Sequence, residues 1–140
     1  MNRQLDEVTE SFRRCRSDKA FIQTFYDVFL AKSPEIASKF AHTNFKLQKL
    51  LLRESLLMVL AFHLSMSGAR EEIVELGTRH QVLGVKPEHY AMWLDALCEA
   101  IRRHDPLYTS DLETKWRDAL QKPIELMIGA PTSQVNLRAN

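Results

Sequence analysis

Apolar residues recur at three- and four-residue intervals along almost the whole chain, and the strict alternation of a half-buried strand is nearly absent. That pattern predicts an all-α fold. A first helix is expected from about Leu5 to Arg16. Asp18 is placed to cap a second, whose broad apolar face carries Phe21, Ile22, Phe25, Tyr26, Phe29 and Leu30. Ser33-Pro34 restarts a short helix ending near Phe40, with proline at its favoured first position. Asn44 is a fair cap for a long helix from Phe45 to about Met66, which Gly68 is expected to close. The next runs from about Arg70 to Leu83, followed by Gly84, and Pro87 opens another reaching about His104. Ser110-Asp111-Leu112-Glu113 reads as a capping box for a last helix to Ile128, with a kink expected at Pro123. Residues 1–128 are read as one domain, and 129–140 as a flexible C-terminal tail.

Composition narrows the picture without adding chemistry. A chain of 140 residues suits a single domain and is long enough to bury a sizeable core. Apolar residues make up 45% and charged residues 26%, with a formal net charge of only +1. That balance argues against nucleic acid or an anionic membrane as a partner recognised by charge. Arg13, Arg14 and Arg16 read as a solvated helix face. The polar N-terminal stretch has no apolar signal region, and Leu50 to Leu64 is too short and too interrupted to span a bilayer. Cys15 and Cys98 lack metal-type spacing and read as reduced packing residues, so a cytoplasmic setting is expected.

Common catalytic signatures are missing. The chain holds no His-Glu-x-x-His, no Cys-x-x-Cys, no glycine-rich phosphate loop and no Gly-x-Ser-x-Gly elbow. What stands out are polar residues on apolar helix stripes, where burial is costly without a partner. His80 interrupts the stripe Ile73, Leu76, Leu83; Gln48 interrupts Phe45, Leu52, Leu56, Val59; Tyr26 lies between Phe25 and Phe29. Each alone has a plain reading as a satisfied core or boundary residue.

Together they carry a family likeness. Phe25-Tyr26, Pro34 and Phe40, then Leu76-Gly77-Thr78-Arg79-His80, then Gly84-Val85-Lys86-Pro87-Glu88-His89-Tyr90, resemble the bacterial globins, both single-domain haemoglobins and the haem domain of flavohaemoglobins. The likeness spans about Leu5 to Ile128. It implies a three-over-three helical sandwich around haem b (iron protoporphyrin IX), held between the long helix and the helix bearing His80. His80 matches the proximal iron ligand, and Tyr90 a tyrosine beside it. Phe40, 14 positions after Tyr26, matches the aromatic that stacks on the haem. Tyr26 matches the distal tyrosine, and Leu52 the aliphatic residue that leans over the iron. Leu76 and Val85 belong to the proximal lining. Leu47, Gln48 and Lys49 compete for the distal position; helical phase favours Gln48, one turn before Leu52. The flavohaemoglobin glutamate that faces the proximal pair has no clear match, Glu125 being the nearest acid.

The resemblance implies a protein that reversibly binds oxygen, NO or CO at an open axial position. Hydroxyl and amide donors stabilise a ligand that gathers negative charge, as oxygen does, more than carbon monoxide. Slow oxygen release then favours NO oxidation over transport, with electrons from an external reductase, since no flavin or nicotinamide motif is present. A gas sensor acting through a separate partner is the alternative. Either a monomer or a homodimer is compatible with this reading.

Overall fold

In the computed structural model, which describes residues 3–131, seven helices carry the regular structure: α1 Arg3–Arg16, α2 Phe21–Leu30, α3 Pro34–Lys39, α4 Phe45–His63, α5 Ala69–Val82, α6 Pro87–His104 and α7 Ser110–Ile128. No strand occurs among the described residues. The helices sort into two layers, α1, α4 and α5 against α2, α6 and α7, with α3 leaning on α2. This is the expected three-over-three arrangement. No helix among the described residues is long and apolar enough to cross a membrane.

Local chemistry sets most helix starts where the pattern puts them. Ser33 Oγ accepts from Ile36 N at 3.1 Å, and Asn44 Oδ1 from Leu47 N at 3.3 Å, each satisfying an orphan amide of a first turn. Three boundaries differ. Asp18 does not cap α2: its carboxylate accepts from Ala20 N at 2.9 Å, shaping the turn one step earlier. The last helix is capped by Thr109, whose hydroxyl accepts from Leu112 N at 3.0 Å, so no box forms on Ser110. Helix α4 ends at His63, and Gly68 opens α5 rather than closing α4. Its φ of 85° lies in the left-handed region, where a residue without a Cβ is least strained.

The arginine cluster also divides. Arg13 and Arg16 are exposed, but Arg14 turns inward and forks onto the fully buried carboxylate of Asp105, Nε to Oδ1 at 2.6 Å and a terminal nitrogen to Oδ2 at 2.9 Å. Ser11 Oγ donates to Asp105 Oδ2 at 2.5 Å, and Trp116 Nε1 donates to Ser11 Oγ at 2.9 Å. One buried network therefore ties α1 to the end of α6 and to α7. Cys15 and Cys98 are buried, and burial pushes both thiols up to about 12, so they stay protonated and inert.

Helices α5 and α7 meet at Gly77. A Cβ there would stand 2.6 Å from Met127 Cα and 2.7 Å from Met127 O, both backbone atoms that cannot step aside. Gly77→Ala gains roughly 1 kcal/mol of helix propensity but forces the helices apart. The net loss of stability is expected at about 1–3 kcal/mol, typical of overpacking, read as a lower urea midpoint. The contact continues past the helix end: Ala130 is buried, Thr78 Oγ1 donates to Pro131 O at 2.8 Å, and Gln81 Nε2 donates to Ile128 O at 3.0 Å. The first residues of the expected tail are thus docked on α5; residues 132–140 lie outside the described residues.

Candidate functional site

Helix α5 presents His80 one turn beyond Leu76, with Ile73 and Gly77 buried beneath. His80 Nδ1 lies 2.8 Å from Leu76 O. A carbonyl only accepts, so Nδ1 carries the proton and the lone pair sits on Nε2. Burial lowers the pKa of the ring, against the raising effect of the Leu76 carbonyl, which favours the neutral form. Nε2 has no partner among the described residues. A neutral imidazole with a free, oriented lone pair is a metal ligand in waiting.

Tyr90, from α6, lies beside it with ring centroids 6.2 Å apart and planes inclined 39°. Its hydroxyl is buried with no hydrogen-bond partner among the described residues, and burial pushes its pKa up to about 12. Glu125 is exposed and accepts from Gln121 Nε2 at 3.1 Å, so it meets neither Tyr90 nor His80.

The second half of the site comes from α2, α3 and α4. Tyr26 is buried, and its ring meets Phe25 at 4.9 Å, Phe45 at 5.4 Å and Phe40 at 6.0 Å, all edge-on. Phe40 in turn stacks on Phe45 at 6.0 Å. Such contacts hold the phenol in one place. Gln48 Nε2 donates to Tyr26 Oη at 3.1 Å; Tyr26 Oη donates back to Gln48 O at 3.4 Å, a long and weak bond. Burial pushes the Tyr26 hydroxyl to about 12 despite the Gln48 bond, so it remains a donor at neutral pH.

The three competing positions separate cleanly. Leu47 is 53% exposed, and Lys49 reaches along the surface to Gln23 Oε1, leaving Gln48 as the residue aimed at Tyr26. Leu52 is buried on the same helix. Sequence reasoning missed Phe45 as a support for Tyr26, although it stands one turn before Gln48 on the same stripe. It also missed two ties between α3 and the corner joining α5 to α6. Lys39 Nζ donates to Leu83 O at 3.1 Å, and Glu35 takes His89 Nε2 at 3.0 Å and Lys86 Nζ at 2.9 Å. Nothing local in the sequence pairs residues so far apart.

The apolar core falls into two clusters. One contains Tyr26 and Leu52 with Phe40 packed against it; the other contains Tyr90 with Leu76 and Val85 packed against it. Ile124 packs against both; the Nε2 lone pair of His80 suits a metal ion, and the apolar residues near it suit an apolar group. The residues present therefore suit the haem that the sequence resemblance implies.

Comparison with family models and with curated proteins gives no match. Among solved structures the chain is similar to protein PA3967 of Pseudomonas aeruginosa PAO1, described as structurally highly homologous to a human hemoglobin. Sequence identity is 34% over 91% of this chain and 97% of that one, with a TM-score of 0.87.

Proposed function

Since this chain belongs to the bacterial globin family, we propose that it binds haem b through His80 and takes diatomic gases on the side of Tyr26 and Gln48. Haem, held by His80, would supply an iron able to take such a ligand. The observation that carries the reading is the Tyr26–Gln48 pair, two donors held together on helices other than the one that bears His80. Tyr26 has only its 3.4 Å bond to give up before turning its proton toward a ligand, and Gln48 stays to hold the phenol.

Donors of this kind favour oxygen, which gathers negative charge, over carbon monoxide. A hydrogen bond of charge-assisted character contributes roughly 1.5–3 kcal/mol, at least about tenfold in affinity. The protein is then suited to keep oxygen until NO reaches it and nitrate forms, with electrons from a separate reductase. His80 is braced by a neutral backbone carbonyl, and Tyr90 meets no acid among the described residues, a setting that would add little electron push to a bound iron.

Stopped-flow release of oxygen from the ferrous haem protein tests this. Tyr26→Phe is expected to speed oxygen release about tenfold or more while carbon monoxide release changes little. Unchanged oxygen release in Tyr26→Phe overturns the proposed role of Tyr26.

A further inference from the structure

Helix α4 buries one side and leaves the other bare. Leu52, Leu56, Val59 and Leu60 are buried, whereas Leu47, Leu50 and Leu57 on the helix, and Leu64 just past its end, stand 53%, 49%, 43% and 50% exposed. Leu50, Glu54, Leu57 and Ala61 follow the i, i+4, i+7, i+11 spacing of a helix-to-helix seam. Leu50 lies ~200° round the helix from Gln48, so a group held beside Gln48 does not cover this stripe.

The stripe also carries charge. Some surface acids and bases pair within the chain, as in Arg13 with Glu10, Arg103 with Glu99 and Arg117 with Asp95. Arg53 and Glu54 are both exposed, and neither has a hydrogen bond or ion pair among the described residues. Adjacent on a helix, they cannot satisfy each other.

We propose that this face of α4 is the contact between two copies of the chain, packed antiparallel about a twofold axis between Arg53 and Glu54. That axis sets Leu50 of each copy against Leu57 of the other. It also brings Arg53 of each copy to Glu54 of the other. The order of charge is self-complementary, since reversing the helix places plus over minus at both positions, as a twofold contact demands. One helix face offers less than the roughly 800 Å² per partner of a standard interface. The pair is therefore weak, dissociating on the order of micromolar.

Sedimentation equilibrium of the full chain between low-micromolar and a few hundred micromolar concentration tests the proposal. The mass is expected to rise from 16.2 kDa toward twice that value. Leu57→Asp is expected to hold it at one chain. Arg53→Glu and Glu54→Arg should each weaken association at least tenfold by setting like charges together, and the double variant R53E/E54R should restore it. These charge variants lie on the surface, so circular dichroism should show no change of helix content. A single-chain mass at the highest concentration overturns the proposal, as does a double variant no tighter than the single ones. So does a chain truncated after Pro131 that dimerises where the full chain does not, which would show residues 132–140 covering the face instead.

Discussion

Haem retention is expected to collapse when His80 is replaced by alanine. Replacing a residue that merely hydrogen-bonds a metal ligand lowers metal affinity roughly 10–100-fold; removing the ligand itself is expected to exceed about 100-fold. The measurement is Soret absorbance after haem addition and gel filtration. The polypeptide should still fold, because the ring makes one hydrogen bond, to a carbonyl in its own helix, and α5 is anchored by Ile73, Gly77 and Thr78. Circular dichroism should therefore be unchanged while the Soret band is lost. Added imidazole is expected to restore part of the band by occupying the vacated space, an effect no merely structural role produces. An alanine variant that keeps haem with an unaltered spectrum would mean that another residue holds the iron.

The second large effect concerns the scaffold. Asp105→Ala removes the acceptor for Arg14, for Ser11 and for Leu107 N, which donates to Oδ1 at 2.9 Å. Breaking a buried ion pair costs about 3–5 kcal/mol. The lower figure applies here, because the Arg14 side chain is 27% exposed and can turn to water. Burial pushes the Asp105 carboxyl up, but Arg14, Ser11 and the Leu107 amide outweigh it and hold the pKa below its ordinary 3.8. A carboxyl held low in the folded state stabilises above its unfolded pKa and loses that contribution as pH falls through the folded one. Urea titrations should thus show the full gap between wild type and Asp105→Ala near neutral pH. The gap should close as pH drops below 3.8. A gap that is constant down to pH 2 would assign the loss to packing rather than to charge.

These two residues were unequally visible. His80 stood out as a candidate because its signal is local: a histidine on an apolar stripe, followed at fixed offsets by Gly84, Val85 and Tyr90. Asp105 gave no signal at all, since it closes a helix like any polar residue and its partners are up to 94 positions away. For the same reason Arg14 looked like one more solvated arginine. The distal choice was intermediate. Phase alone put Gln48 ahead of Leu47 and Lys49, but only the position of Tyr26 on a packed neighbour showed which side chain meets it.

By itself, then, the sequence determined seven helices, their approximate limits and the aromatic-tyrosine face of α2, and it picked out His80 as the candidate ligand. Each is a property of residues within a turn or two, where 3.6-residue periodicity and capping act. Tertiary structure alone decided which polar groups are satisfied: Arg14 on Asp105, Glu35 on His89, Gln48 on Tyr26. It also decided that Gly77 must lack a side chain and that the Tyr90 hydroxyl meets no partner among the described residues. Those outcomes depend on how helices cross, and crossing is settled by packing between segments distant in the chain, which no local pattern encodes.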